Sequence, residues 1–162
     1  MAQEIERKFL ITSEAWQAHA DAGQRMRQGY LVGAERASIR VRTAADQAWL
    51  NIKSATLGVE RQEYEYAIPL TDAEEILATL CTPPLIEKTR YAVRWGAHTW
   101  EIDVFEGDNA GLVVAEIELA SADEPFERPP WVGREVSDDP KYYNVCLVHH
   151  PYSQWKRESV EE

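Results

Sequence analysis

Charged residues recur at every second position in many segments of this 162-residue chain. In residues 4–9, Glu4, Glu6 and Lys8 share one parity, while Ile5 and Phe9 take the other. A period of two is typical of β-strands, because successive side chains point to opposite faces of a sheet. The pattern predicts a strand with one charged face and one apolar face, and its repetition limits the chain to strand-rich folds.

The same alternation predicts most of the remaining strands. Further charged segments lie at residues 38–42, 50–53, 61–66, 88–91, 100–104 and 115–119, and two more strands are predicted at residues 29–32 and 131–136. Together they predict an α+β domain in which an antiparallel sheet is covered by a few helices. The proline-containing segments 82–84 and 124–130 are predicted to be turns.

Three helices are predicted from their start signals. Ser13 precedes a helix over residues 14–21, which Gly23 ends. Thr71 and Glu74 have the spacing of a capping box at the start of a second helix. A third helix is predicted after Pro140, because proline is favoured in the first turn.

The composition indicates one folded domain over residues 1–162, with a hydrophobic share of 44%. Cys81 and Cys146 lie far apart in the sequence, which disfavours a disulfide scaffold or structural zinc site and favours a cytoplasmic location. No apolar run resembles a signal peptide or membrane span, so no membrane partner is expected. The formal net charge of −11 disfavours nucleic acid, which binds exposed Lys and Arg.

The charges segregate by sign from strand to strand. The acidic doublets are Glu4/Glu6, Glu63/Glu65, Glu101/Asp103 and Glu116/Glu118, and the basic doublets are Arg40/Arg42 and Lys88/Arg90. The ordinary interpretation of one such strand is a solvated face, yet solvated faces usually mix signs because like charges repel. Clustered carboxylates suit Mg²⁺ or Mn²⁺, and clustered Arg and Lys suit phosphate. The doublets together predict metal-dependent phosphate chemistry.

Residues 4–8 form an ExExK signature that, with the later doublets and Lys53, resembles the CYTH family, also called triphosphate tunnel metalloenzymes. The ordered series spans almost the whole chain. The resemblance implies an eight-stranded antiparallel closed β-barrel that forms a tunnel. It also implies that the charged side chains of the strands face the lumen. Helices are expected to flank the barrel outside, with a C-terminal helix that can plug one end.

The resemblance assigns a role to each charged position. The implied ligands of two Mg²⁺ or Mn²⁺ ions are Glu4, Glu6, Asp103, Glu116 and Glu118. The implied phosphate-binding residues are Lys8, Arg40, Arg42, Lys53, Lys88 and Arg90. The implied catalytic residues are Lys8, Tyr30, Glu63 and Glu65, with Tyr30 paired with Lys8. Arg61, near a strand end, is expected to form a salt bridge at the tunnel mouth.

Similar tunnels serve inorganic triphosphatases, thiamine triphosphatases, class IV adenylyl cyclases and RNA triphosphatases, so the resemblance implies an enzyme without fixing its substrate. The chain shows no insertion for recognising a base, which favours hydrolysis of inorganic tripolyphosphate to pyrophosphate and phosphate. Thiamine triphosphate or nucleoside triphosphate hydrolysis is the first alternative, followed by adenylyl cyclisation. A polyphosphate- or nucleotide-binding module is the non-enzymatic alternative. The expected partner is a small triphosphate, and a barrel flank could support a homodimer.

Overall fold

A computed structural model describes residues 3–155 of the chain. Within these residues the strands are β1 (Gln3–Ile11), β2 (Gln24–Gly33), β3 (Ala37–Ala44), β4 (Gln47–Ser54), β5 (Glu60–Ile68), β6 (Thr82–Trp95), β7 (His98–Phe105), β8 (Val113–Glu118) and β9 (Val132–Glu135). The helices are α1 (Leu70–Thr79) and α2 (Asn144–His149), with 3₁₀ helices at Ala15–His19, Gly107–Asn109 and Pro140–Tyr142 and further α-helical residues at 152–155. Every strand predicted from alternation overlaps one of these strands.

Eight of the strands in the described part of the chain close into an antiparallel barrel. Their order is β5–β4–β3–β2–β6–β7–β8–β1, and a pairing between β1 and β5, which includes Glu4 opposite Arg61, completes the ring. Strand β9 lies outside the ring and pairs with β1. The closed eight-stranded barrel implied by the family resemblance is therefore confirmed.

The apolar parity of the strands faces outwards and is covered by other elements. Trp16 of the first 3₁₀ helix and Trp131 pack in one cluster with Trp100 of β7. Helix α1 buries Leu77 against Val41 of β3. Because neighbouring positions on a strand point to opposite faces, this packing leaves the charged parity to line the interior.

The interior of the barrel is apolar at one end. Ile86, Phe105 and Val114 share the parity of the charged residues on their strands, and they pack with Leu147 and Val148 of α2. Burial of these side chains closes that end of the barrel with the C-terminal segment. The charged part of the interior therefore has an apolar floor.

Two of the predicted helices differ in detail from the structure. The helix expected over residues 14–21 is limited to Ala15–His19, because Ala20 forms a β-bridge with Val93 of β6. Helix α1 is capped by the extended Pro69, so the predicted capping box at Thr71 is wrong and Thr71 lies inside the first turn. None of the helices in residues 3–155 is long and apolar enough to cross a membrane.

One predicted turn is also wrong. Residues 82–84 begin strand β6 instead, where Thr82 pairs with Tyr30 of β2. The prolines are tolerated there because they stand at the beginning of the strand, where few ladder hydrogen bonds are lost. Residues 124–130 lie outside regular strands and helices, as predicted.

Candidate active site

The inward-facing charged side chains of the strands line a cavity of about 330 Å³ inside the barrel. Its acidic lining residues are Glu4, Glu6, Glu63, Glu65, Glu101, Glu116 and Glu118. Its basic lining residues are Lys8, Arg40, Arg42, Lys53, Arg61, Lys88 and Arg90. The two sets are equal in number, so the cavity has a formal charge of zero in a chain whose net charge is −11. Of the predicted site residues, Asp103 alone does not line it.

Carboxylates accumulate where β1 meets β5. Lys53 Nζ lies 3.4 Å from Glu4 Oε2 and 3.1 Å from Glu63 Oε2. Within residues 3–155, Lys53 is the one cation that forms an ion pair with these two buried oxygens. Burial raises the pKa of Glu4 to about 8, and the nearby Glu6 carboxylate adds to this effect while Lys53 offsets only part of it. This part of the cavity therefore favours the arrival of a cation.

A second pair of carboxylates lies where β1 meets β8, with Glu6 directly opposite Glu118. Burial would raise the pKa of Glu6, but the charges of Lys53, Lys8 and Arg90 outweigh it and lower the pKa to about 2. Burial raises the pKa of Glu118, and the Glu6 charge adds to the effect. Like charges placed directly opposite repel, so this pair also favours a cation.

The donors in this part of the cavity fit a hard divalent cation. They are carboxylate oxygens without histidine or cysteine, which Mg²⁺ and Mn²⁺ prefer. Within residues 3–155 the carboxylates do not stand in groups of three or more at coordinating distance. Glu4 and Glu63 share the single ammonium of Lys53, so these oxygens can bind a divalent ion with little rearrangement of other contacts.

The opposite wall of the cavity contains a closed network of ion pairs around Asp103. This residue is fully buried, and its Oδ1 accepts a hydrogen bond of 2.7 Å from Arg90 Nε. Its Oδ2 accepts hydrogen bonds from Lys88 Nζ at 2.8 Å and Arg90 Nη2 at 2.9 Å. Although burial opposes ionisation, Arg90 and Lys88 hold the pKa of Asp103 well below its usual range. The geometry does not fit the predicted role of Asp103 as a metal ligand, because both oxygens serve these cations.

Lys88 and Arg90 carry their charge in different ways. Burial lowers the pKa of Lys88 to about 7; Asp103 opposes this shift, while Arg90 and Arg42 add to it. Arg90 lies 3.0 Å from Glu101 and 3.4 Å from Glu116, so its pKa is raised well above the ordinary value despite burial. Arg90 is therefore a permanent cation, whereas the ammonium of Lys88 is easier to discharge.

Neutral amides hold the two arginines of β3. Arg42 Nε donates to Gln28 Oε1 at 2.8 Å, and Arg40 Nε donates to Asn51 Oδ1 at 3.4 Å. Burial lowers the pKa of Arg42 to about 9, with Arg40 and Arg90 adding to the effect. Gln28 and Asn51 carry no charge, so the pattern of charged doublets does not include them. Their inward parity is the only sequence signal that could have found them.

The C-terminal segment contributes further contacts to the cavity. Lys8 Nζ donates to Tyr142 O at 3.3 Å and lies 3.6 Å from Glu116 Oε1. The hydroxyl of Tyr30 accepts a hydrogen bond from Gln28 at 3.2 Å, and its pairing with Lys8 stays a prediction. Lys8 is thus fixed from the barrel and from the segment that closes it.

Two further residues at this end were not assigned correctly from the sequence. Arg61 lies over the ring of Tyr143 at 4.3 Å and enters no salt bridge within residues 3–155, so the expected mouth salt bridge is replaced by a cation–π contact. Asn144, the first residue of α2, accepts a hydrogen bond from Lys88 Nζ at 3.0 Å. Only their position after Pro140 connects Tyr143 and Asn144 to the site in the sequence.

Comparisons with known proteins agree with the barrel fold. The CYTH domain matches residues 2–143. The chain is 46% identical over 156 residues to an inorganic triphosphatase of Acetivibrio thermocellus, which covers 96% of this chain and 99% of the relative. It is 37% identical over 150 residues to an inorganic triphosphatase of Nitrosomonas europaea, covering 90% and 96% of the two chains. The crystal structure of the inorganic triphosphatase NE1496 has a TM-score of 0.63 at 33% identity, covering 91% of this chain and 95% of that one. The chain belongs to the CYTH domain family.

Proposed function

We propose that this protein is a divalent-metal-dependent triphosphatase that hydrolyses inorganic tripolyphosphate to pyrophosphate and phosphate. The observation that carries the proposal is the cavity inside the barrel in which basic side chains and paired carboxylates face each other. The names of two relatives at 46% and 37% identity, both inorganic triphosphatases, support it. Tripolyphosphate offers only anionic oxygens, which match the strongly polar lining of this cavity.

The basic side chains bind the substrate in this proposal. The phosphate-binding residues are Lys8, Arg40, Arg42, Lys53, Lys88 and Arg90. A guanidinium can donate two parallel hydrogen bonds to one phosphate, and an ammonium acts as a compact charge. Because phosphoryl transfer depends mainly on positioning and charge neutralisation, these residues lower the barrier by holding the oxygens where charge develops. Asp103 acts here as the anchor of Lys88 and Arg90.

The paired carboxylates complete the site. Glu4, Glu6, Glu116 and Glu118 would hold two divalent cations, Mg²⁺ or Mn²⁺. When bound, such ions neutralise phosphate charge and lower the pKa of an attacking water. On β5, Glu63 lies near Glu4 and Glu65 accepts a hydrogen bond from Asn51, and we assign both carboxylates the orientation of that water. Tyr30 keeps a supporting catalytic role through Arg40, whose pKa its hydroxyl helps to raise against burial.

We also propose that the enzyme acts in the cytoplasm as a single domain. Cys81 and Cys146 are both free thiols, which is consistent with reducing conditions. The proposed partner is the small triphosphate itself. The interior position of the charged doublets supports this choice over a nucleic acid, because a duplex needs an exposed basic surface.

A turnover panel tests the substrate assignment. Purified protein is assayed with Mg²⁺ or Mn²⁺ on tripolyphosphate, thiamine triphosphate and ATP under identical conditions. We expect the highest kcat/KM on tripolyphosphate, with one pyrophosphate formed for each phosphate. A higher kcat/KM on either organic substrate would replace the proposed substrate. Cyclic AMP from ATP would indicate a cyclase, and binding without product from any substrate would indicate a binding module.

A further inference from the structure

The two arginines of β3 are each held by the residue directly opposite them on a neighbouring strand. Gln28 of β2 stands opposite Arg42, and Asn51 of β4 stands opposite Arg40. In both pairs the amide oxygen accepts a hydrogen bond from the arginine Nε, at 2.8 Å for Arg42 and 3.4 Å for Arg40. The two arginines are therefore held by the same kind of hydrogen bond, from Nε to an amide oxygen on the neighbouring strand.

Both amides lie beneath the cavity lining and do not reach the cavity themselves. Gln28 is 0% exposed and Asn51 is 1% exposed. A buried amide must have its polar atoms satisfied, and hydrogen bonds made elsewhere fix which atom faces the arginine. Gln28 Nε2 donates to Asn144 Oδ1 at 3.1 Å, and Asn51 Nδ2 donates to Glu65 Oε2 at 2.8 Å. The amide oxygen is therefore the atom left to accept from each guanidinium.

Arg90 shows what a charged partner does at an equivalent position. Asp103 stands opposite Arg90 and accepts from its Nε at 2.7 Å, but it also neutralises the guanidinium and takes a second hydrogen bond from Nη2 at 2.9 Å. Arg42 makes no ion pair and no hydrogen bond other than the one to Gln28 within residues 3–155. Its Nη atoms and its charge are thus left for a ligand in the cavity.

We propose that Gln28 and Asn51 are positioning residues for triphosphate binding. Each fixes the plane of a guanidinium through Nε and adds no negative charge, so neither amide competes with phosphate oxygens for the arginine that it holds. A carboxylate at either position would also orient the arginine but would compete with phosphate for its charge. The inference rests on the proposed function and adds two neutral residues that act through Arg42 and Arg40.

A double-mutant cycle on kcat/KM for tripolyphosphate tests the first pair, because a positioning residue has no effect once its arginine is gone. Gln28→Met should raise KM about tenfold with a smaller change in kcat, as expected for losing a hydrogen bond to a charged group. Adding Gln28→Met to Arg42→Ala should cause no further loss. A Gln28→Met effect that persists undiminished in the Arg42→Ala background would overturn the positioning role, since it would show that Gln28 only supports the fold.

A charge variant and a matched control complete the experiment. Gln28→Glu keeps an acceptor for Arg42 but adds a negative charge, so KM should rise at least as far as in Gln28→Met; a wild-type KM would contradict the need for a neutral partner. Gln47→Met makes the same substitution at an exposed position of β4 and should leave KM unchanged. Thermal midpoints of all variants, measured without substrate, report any loss of folding.

The second pair keeps the inference testable if Gln28 variants do not fold. Asn51→Leu combined with Arg40→Ala forms an equivalent cycle, with the same expected loss of the amide effect. Failure of the inference differs from failure of the proposed function. An active wild-type enzyme with additive single effects in both cycles overturns the positioning role alone, whereas a wild-type protein that neither binds nor hydrolyses tripolyphosphate overturns both.

Discussion

Two carboxylates of the barrel interior, Asp103 and Glu4, lie in opposite electrostatic surroundings. Asp103 is buried between Lys88 and Arg90, whose charges hold its pKa well below the usual range although burial opposes this. Glu4 is buried beside Glu6 and other acids, and its pKa rises to about 8. Both residues have the inward parity of their strands, so the neighbouring strands create the difference. Both oxygens of Asp103 are taken up by Lys88 and Arg90, so it acts as a counter-ion, whereas Glu4 shares the single ammonium of Lys53 with Glu63 and is available to a divalent metal.

The largest effect on turnover is expected when an acid near Glu4 is removed. Glu6→Gln should lower kcat on tripolyphosphate roughly a hundredfold or more, because a proposed metal ligand is lost. The thermal midpoint in EDTA should fall, because the charges of Lys53, Lys8 and Arg90 hold the pKa of Glu6 at about 2 and the amide loses this attraction, so kcat is measured well below that midpoint. The control is Glu74→Gln, which alters an exposed ion pair with Arg27 and should leave kcat unchanged. Near-normal turnover by Glu6→Gln would count against the ligand assignment.

Changing Asp103 should mainly lower the free energy of unfolding. Asp103→Asn leaves the buried Lys88 without its counter-ion and Arg90 with only Glu101 and Glu116, and breaking a buried pair costs about 3–5 kcal/mol. The free energy of unfolding, measured in urea without metal, reports the loss. In Glu74→Gln the expected cost is below about 1 kcal/mol, because an exposed ion pair contributes little. A cost as small as this in Asp103→Asn would contradict the anchoring role.

A smaller effect is expected from a single phosphate-binding arginine. Arg40→Ala should raise KM for tripolyphosphate about tenfold, because one charge-assisted contact among several is removed. Arg25, which forms only exposed ion pairs outside the cavity, supplies the matched Arg25→Ala control. Steady-state kinetics with saturating Mg²⁺ measure both variants. Equal KM values for Arg40→Ala and Arg25→Ala would mean that the lumen does not bind the substrate.

The pH dependence of stability gives the finest test of the Glu4 surroundings. The pKa of Glu4 is raised in the folded protein from 4.5 to about 8, so the folded state retains a proton that the unfolded chain releases. The contribution of this protonated carboxyl to the free energy of unfolding is fully present below about pH 4.5 and is lost as pH rises to about 8. In EDTA, the thermal midpoint of Glu4→Gln should therefore fall less between pH 5 and pH 8 than that of the wild type. Parallel pH profiles for the two proteins would contradict the assigned environment of Glu4.

The parity of charged residues predicts the strands and the lining of the cavity, because a strand fixes the face to which each position points. It cannot assign partners across strands. Asp103 has the same pattern as Glu101 and Glu116, yet register places it between Lys88 and Arg90. Glu4 and Lys53 become neighbours only through closure of the ring between β1 and β5.

The charge pattern of the sequence also fails to predict the neutral residues of the site. Gln28 and Asn51 give no charge signal, and their role depends on hydrogen bonds that exist only after β2, β3 and β4 pair in register. The capping box at Thr71 failed for a different reason. The extended Pro69 at the end of the barrel strand starts α1 earlier than the local signal predicts, so tertiary pairing outweighs a local preference.

The central claim is that carboxylates and basic residues in one lumen hydrolyse tripolyphosphate with divalent metal. Phosphate release from tripolyphosphate, followed in Mg²⁺ or Mn²⁺ and again after excess EDTA, tests it most directly. We expect metal-dependent release by the wild type, its loss in EDTA, its recovery when the metal is restored, and little release by Glu6→Gln. Absence of release with either metal, or release that continues unchanged in EDTA and in Glu6→Gln, would contradict it.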